Sequence, residues 1–375
     1  MKNYKIYAYY FPNWHIDKRN EMWHGKGWTE WQVLKYATPR FEGHIQPKIP
    51  LWGYEDESRP EVMGKKISVA KEHGIDGFIF DWYWFDDGAY RERCLNEGFL
   101  KAENTNDLEF SIMWANHNSP QSHPTPRMFK SPTLKECKVT PTVFKEATDY
   151  CIENYFGKKN YSRVDGKILF SIFSLDKFVD TMGGVDATAV ALADFRERVR
   201  QAGYGEVYIN FMDSSAMFFA TDKENIYPEI NAMASKIGID GWSTHLNDGI
   251  GKDVLTYDYE KWIDKFPRIY LEKCGNYNIP YNICVSTGWD SSPRTVQSEI
   301  YECIGYPYCP IVVNNTPDNF EKALKNAKEF LNSEKSTSDF ITINSWNEWT
   351  EGAYLEPDEQ YGYGYLEKIK NVFKR

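Results

Sequence analysis

The 375-residue chain contains no run approaching 18 apolar residues, so no membrane-spanning helix is expected of it. Its opening Met1-Lys2-Asn3-Tyr4-Lys5 has neither the apolar stretch nor the small-residue cleavage site of a secretory signal, and a cytoplasmic location is expected. Basic clusters are also missing. Asp and Glu number 54 against 44 Lys and Arg, and the formal charge of -10 argues against nucleic acid as a partner. Seven cysteines, at 94, 137, 151, 274, 284, 303 and 309, include no Cys-x-x-Cys pair. An odd count cannot pair fully within one chain, so reduced thiols are expected. There is no Gly-rich phosphate loop after an early strand, no HExxH and no Gly-x-Ser-x-Gly elbow. Those absences leave no cofactor and no metal to expect.

Short apolar or β-branched runs, by contrast, are regular. They fall at residues 5–11, 75–82, 109–115, 167–173, 206–211, 239–244, 281–286 and 340–346. Helical patterns occupy 60–73, 90–103, 142–156, 186–202, 222–236, 257–277 and 317–333, with a last one at 364–373. Alternating units of this kind predict a single (β/α)8 barrel over residues 1–375; a doubly wound open sheet is the alternative. Gly74-Ile75-Asp76-Gly77 and Gly238-Ile239-Asp240-Gly241 open two of the strands with the same four residues. Two connections are long, 12–59 after the first strand and 116–141 after the third. In a barrel both lie on the C-terminal face, where barrel enzymes keep their active sites.

Tryptophan concentrates on that same predicted face. Trp28, Glu30 and Trp31 follow the first strand, Asp81, Trp82 and Trp84 the second, and Trp114, Asn116 and His117 the third. His245 ends the sixth strand and Trp289 follows the seventh. The eighth ends in Asn344-Ser345-Trp346-Asn347-Glu348-Trp349-Thr350-Glu351-Gly352, with Glu356 just beyond. Indole faces stack on the apolar faces of pyranoses, so the set predicts a carbohydrate-binding cleft. Glycoside hydrolysis needs two carboxyl groups near each other. Strand four ends in Ser171-Ile172-Phe173-Ser174-Leu175-Asp176 and offers no Asn-Glu pair, which leaves Glu348 and Glu351 as the main catalytic candidates and Asp81 as an outside one. His15, His117 and His245 lack any metal-ligand spacing; sugar contact or packing is the expectation for them.

These residues together resemble the WbsX-like family and, through it, glycoside hydrolase family 99, the endo-acting mannosidases. The motifs run in order along the chain: Tyr9-Tyr10-Phe11-Pro12, Gly27-Trp28-Thr29-Glu30-Trp31, His44-Ile45-Gln46-Pro47, Pro60-Glu61-Val62, Gly74-Ile75-Asp76-Gly77, Tyr83-Trp84-Phe85, Trp114-Ala115-Asn116 and the 346–352 block. Tyr9 and Gln46, inside two of these motifs, join the sugar-binding candidates. The resemblance implies a barrel and a retaining hydrolase of an α-linked, manno-like glycan. It assigns Glu351 as the acid that protonates the leaving oxygen and then as the base that activates water. Glu348 would remove the proton of the substrate's own 2-hydroxyl, giving a 1,2-anhydro sugar. Thr350 departs from the family 99 hydrolases, which often have His there, and Asp81-Trp82-Tyr83-Trp84 looks closer to the WbsX-like group. That group is associated with polysaccharide assembly, so a glycosyltransferase is the alternative. Asp86-Asp87-Gly88 is its only faint metal-diphosphate candidate.

Overall fold

The computed structural model describes residues 4–120, 123–128, 132–222, 224–251 and 254–373. The eight β-branched and aromatic runs all form strands: β1 (Lys5–Tyr10), β2 (Gly77–Phe85), β3 (Glu109–Trp114), β4 (Lys167–Ile172), β5 (Val207–Met212), β6 (Gly241–Ser243), β7 and β8 (Phe340–Asn344). β7 is split at Ile283. Its first half, Tyr281–Asn282, pairs with β6, and its second half, Cys284–Ser286, pairs with β8. All pairings around the ring are parallel, and β8 returns to β1 in the register Ile6↔Ile341 and Ala8↔Ile343. The chain is a (β/α)8 barrel.

Side-chain alternation along the strands divides the interior into two layers. Tyr7, Tyr9, Ile79, Met113, Leu169, Tyr208 and Met212 form one buried cluster in the barrel lumen. Ala8, Tyr10, Phe78, Phe80, Trp82, Ile112 and Trp114 belong to the other, between sheet and helices. The duplicated Gly-Ile-Asp-Gly motif shows how the lumen floor is built. Gly74 and Gly238 turn the chain with φ of 84° and 79°. Asp76 Oδ2 then accepts from Ile6 N at 2.7 Å, and Asp240 Oδ2 from Ile209 N at 2.9 Å, tying each loop to the neighbouring strand. A Cβ on Gly77 would meet the Tyr7 ring at 2.9 Å, and one on Gly241 the Tyr208 hydroxyl at 2.1 Å. Both tyrosines occupy space that only glycine leaves.

The surrounding helices are α1 (Pro60–Glu72), α2 (Pro141–Asn154), α3 (Leu175–Met182), α4 (Val185–Gln201), α5 (Tyr227–Ile237), α6 (Phe266–Asn276), α7 (Pro317–Leu331) and α8 (Gly364–Phe373). Thr140 and Thr316 cap α2 and α7 through side-chain oxygens, each followed by a proline. Two predicted helices differ. Residues 90–103 form a short strand end, a π-turn at Cys94–Gly98 and a 3-10 turn at Phe99–Lys101, because Gly98 is pressed against the Glu57 carbonyl. Residues 257–277 divide into Tyr259–Ile263 and α6, which restarts with Pro267 in its first turn. α3 falls where no helix is predicted.

A third long connection, 287–316 after β7, joins the two expected ones on the C-terminal face. It corrects the expectation of wholly reduced thiols, since Cys303 and Cys309, six residues apart, form a disulfide within it. The other five cysteines are free and buried. No helix among the described residues is long and apolar enough to cross a membrane.

Candidate active site

The end of β8 folds into a small pegged platform. Asn347–Glu348 pairs antiparallel with Ala353–Tyr354 around a 3-10 turn at Trp349–Glu351. Gly352, at φ 62°, closes the turn where a Cβ would fall 2.7 Å from Asp290 Cβ. Beneath it, Glu356 accepts from the indole nitrogens of Trp346 and Trp349, each at 2.8 Å, and Lys66 Nζ lies 2.6 Å from the same carboxylate. Asn347 holds the backbone of Phe11 through both its amide atoms. With the indoles turned down, Glu348 and Glu351 face the mouth of the barrel.

They border a cavity of about 580 Å³. One wall comes from β2 and the loop after it, with Asp81, Tyr83, Tyr90 and Arg91. Another comes from the loops after β3 and β6, with His117, His123, His245 and Asp248. Phe11, Trp23, His24, Trp289 and Tyr306 complete the rim.

Arg294, in the connection after β7, organises the centre. Its Nη2 donates to Glu348 Oε1 at 2.5 Å and to Glu30 Oε1 at 3.0 Å, and its Nη1 donates to Glu351 Oε1. Its Nε donates to the Thr350 hydroxyl at 2.9 Å, and that hydroxyl donates in turn to Glu30. Tyr306 donates to Glu351 Oε1 at 3.0 Å. Burial pushes Glu348 well above the usual carboxylate range, and the neighbouring charge of Glu351 pushes it further, with Arg294 opposing. Burial likewise raises Glu351 against the pull of Arg294 and the Tyr306 hydroxyl. Two buried carboxyls against one guanidinium titrate as a pair.

Glu30 behaves oppositely. Burial works to raise it, but His123, 3.2 Å away, and Arg294 override that and hold it well below the usual range. The His123 imidazole is itself pushed down by burial, so the guanidinium supplies the lasting charge. Asp81 is raised well above its ordinary value by burial and then by Glu351. Burial lowers His117, and it takes His24 and His245 down to about 4. Among the described residues no cluster of three His, Cys, Asp or Glu side chains could hold a metal ion.

The family described as Glycosyltransferase WbsX matches residues 6–369. The chain belongs to the WbsX family. Two curated relatives from strains of Xanthomonas campestris pv. campestris, both named uncharacterized protein WxcX, are 25% and 24% identical over 99% of the chain. The chain spans about half the length of these relatives, 50% of each. Among solved structures, the family 99 endo-α-mannosidase from Bacteroides thetaiotaomicron superposes with a TM-score of 0.62 at 15% identity, over 100% of this chain and 97% of that one. A glycoside hydrolase-like protein gives 0.59 at 17% identity, covering 100% and 94%. A β-glucosidase from Trichoderma harzianum gives 0.53 at 8%, covering 99% and 96%. At these identities the likeness is one of fold.

In this WbsX-family barrel, Glu348, Glu351, Asp81, His117, His245 and Trp289 line the cavity, with Glu30 directly behind Arg294. The expected tryptophan rim is corrected by strand alternation. Trp82 and Trp114 point outward to the helical layer, against Tyr155 and Phe144, and Trp84 lies against Tyr150. Trp28 stacks on His24 at 4.3 Å, one ring back from the cavity. Trp31, Trp346, Trp349 and Glu356 are buried in the support of the β8 platform. Asn116 fixes the backbone of Ser174, and Tyr9 reaches the Thr244 carbonyl from inside the lumen. Asn344 contacts His245 at 3.3 Å. Gln46 and His44 hold Asp290 at 2.6 and 2.8 Å, and Asp290 N bonds the Glu351 carbonyl, so they act on the platform from behind. His15 is held by Glu57, away from the cavity.

Sequence reasoning missed Arg294, Arg91, Tyr306 and His123. A signal for the first existed: a predicted face carrying Glu30, Asp81, Glu348 and Glu351 requires a cation on the same face.

Proposed function

We propose that this protein is a retaining glycosidase of an α-linked, manno-like glycan or bacterial polysaccharide, and that Glu348 and Glu351 are its catalytic pair. The observation that carries this is their joint placement at one cavity, buried, sharing the guanidinium of Arg294. Burial raises both carboxyls above the usual range while Arg294 opposes the rise, and a carboxyl held up in this way is suited to proton transfer in glycoside cleavage.

Glu351 gives its proton to the leaving oxygen. Glu348 takes the proton of the 2-hydroxyl, whose oxygen closes on C1; water activated by Glu351 then opens the anhydro sugar with net retention. A trans-diaxial 2-oxygen and leaving group satisfy this geometry, as in an α-mannoside. In the free protein burial raises both glutamates and Arg294 opposes the rise of each.

The description of the family keeps glycosyl transfer as the second reading. The aspartates that such a reading would use for a metal-bound diphosphate are engaged: Lys135 lies 2.6 Å from Asp86 and 3.3 Å from Asp87, and Arg19 lies 2.8 Å from Asp87. The deciding experiment assays wild type, Glu348→Gln and Glu351→Gln on α-mannosidic oligosaccharides and bacterial polysaccharides, with the first-formed anomer read by NMR. Retention is expected, with each variant slowed roughly 10²–10⁴-fold. An inverted first product would sink the anhydro-sugar route, and tight binding of a sugar nucleotide would move the reading to transfer.

A further inference from the structure

Arg294 uses its guanidinium on three carboxylates, whereas the second arginine at the cavity has none. Arg91 is 9% exposed and lines the cavity wall. Among the described residues no carboxylate lies within ion-pair distance of it, and its Nε has no hydrogen-bond acceptor. The guanidinium is instead wrapped by rings, with its carbon 4.6 Å from the Tyr90 centroid, 4.8 Å from Tyr83 and 5.2 Å from Phe11. Asp81, on the same wall, does not pair with it, and its own Oδ1 has no partner.

A buried guanidinium without a directly paired anion is costly: the Glu30 charge acts on Arg91 only from beyond ion-pair distance, the Tyr90 hydroxyl is a neutral partner, and cation–π contacts of this kind return only about 0.5–2 kcal/mol each. Arg91 also stands at φ 60°, in the left-handed region that few side chains adopt. Strain of this sort persists where the surroundings over-determine a conformation, and it collects at ligand sites. The backbone N–H of Arg91 donates to Asp17 Oδ2 at 3.2 Å, which helps hold the residue in that conformation. The position is also close to the chemistry, because the Phe11 ring touches both guanidiniums, Arg91 at 5.2 Å and Arg294 at 5.6 Å.

We propose that Arg91 anchors the carboxylate of an acidic sugar, so that the cavity takes a glycan containing a uronosyl unit. A planar guanidinium with a free Nε edge offers the two parallel donors that a carboxylate accepts in bidentate fashion. The surrounding aromatic faces suit the apolar face of the same sugar ring. The inference rests on the glycosidase reading for its substrate class, but its readout is binding and needs no turnover.

The test compares methyl uronosides and uronate-containing oligosaccharides with their neutral counterparts by calorimetry and saturation-transfer NMR, on wild type and Arg91→Asn. Asn tolerates a left-handed φ and removes the charge. Wild type is expected to bind the acidic ligand at least tenfold tighter than the neutral one, with the margin shrinking in high salt. Arg91→Asn is expected to lose the margin while melting within a few degrees of wild type. The salt titration on wild type stands in for the variant if Arg91→Asn does not fold. Equal binding of acidic and neutral ligands by wild type overturns the proposal, and so does a margin that survives in Arg91→Asn. Tighter binding of a sugar phosphate than of the uronoside overturns the carboxylate assignment. Turnover of neutral mannosides by wild type, together with equal binding of acidic and neutral ligands, would leave the glycosidase reading standing and remove this one. Arg91-dependent uronate binding without hydrolysis would do the reverse.

Discussion

Arg294 Nη2 stands 2.5 Å from Glu348 Oε1, so the connection after β7 supplies the counter-ion for a carboxylate at the end of β8. Removing that cation leaves Glu30, Glu348 and Glu351 facing one another in a buried space. Arg294→Met is expected to cost about 3–5 kcal/mol of stability near neutral pH. The cost carries a pH signature. Without the guanidinium Glu348 and Glu351, the proposed catalytic pair, rise further, so the folded protein holds protons that the unfolded chain releases at ordinary carboxylate values. Stability is then retained in acid and lost as pH rises through the gap between those values. Urea unfolding at pH 5 and pH 8 checks this; a deficit of equal size at both would show that Arg294 acts through packing alone.

The cavity histidines titrate in the opposite sense. Burial lowers His24 and His245 to about 4 from an ordinary 6.5, so as pH falls the unfolded chain takes up protons before the folded one does. Stability therefore drops between about pH 6.5 and pH 4, and His245→Gln is expected to shallow that slope while leaving the neutral-pH melting point little changed. Melting curves across that window decide the point. An unchanged slope would mean that His245 is protonated in the folded cavity.

The barrel itself was legible because its evidence is periodic. β-branched runs near-evenly spaced by helical patterns fix eight strands, and the paired Gly-Ile-Asp-Gly blocks mark two strand entries for reasons the tyrosines of the lumen make plain. The tryptophan rim was misread for want of one parity. Asp81 and Met113 pair across β2 and β3 and both line the cavity, so their neighbours Trp82 and Trp114 must point the other way. That rule was available from the sequence. Arg294 and Arg91 were not available in the same sense, since both sit in irregular backbone where no period reports direction. The break in residues 90–103 depends on Gly98 meeting the Glu57 carbonyl, a contact between segments some forty residues apart that no local pattern announces.

Glu356 separates a supporting residue from a substrate contact. It is 4% exposed and satisfied by two indole N–H groups and by Lys66, itself 2% exposed. Glu356→Ala leaves the buried Lys66 ammonium with the Tyr10 hydroxyl at 3.0 Å but no carboxylate, and two buried indole donors without an acceptor, and a loss of about 3–5 kcal/mol is expected. A role in support predicts that whatever protein folds has a reduced kcat, because the platform carrying Glu348 and Glu351 shifts. A role in sugar contact predicts an increase in KM with stability untouched. Pairing the change with Lys66→Met is expected to recover part of the lost stability, as removal of both buried charges does elsewhere.

Asp81 gives the sharpest contrast between a charged and a neutral carboxyl at this site. Its carboxyl is 7% exposed, its Oδ1 has no partner, and burial together with Glu351 raises it well above the ordinary value. A carboxyl raised in the folded state weakens the fold as pH climbs past its unfolded value, because the unfolded chain ionises and the folded one resists. An amide of the same shape never ionises. Asp81→Asn is therefore expected to be more stable than wild type, with a gain that grows from pH 5 to pH 8 in chemical denaturation. If Asp81 serves as a neutral group toward the sugar, the variant also keeps kcat/KM within a few-fold. A loss of a hundredfold or more at every pH, with the stability gain present, would instead make ionised Asp81 a participant in the chemistry and reopen the choice of catalytic pair.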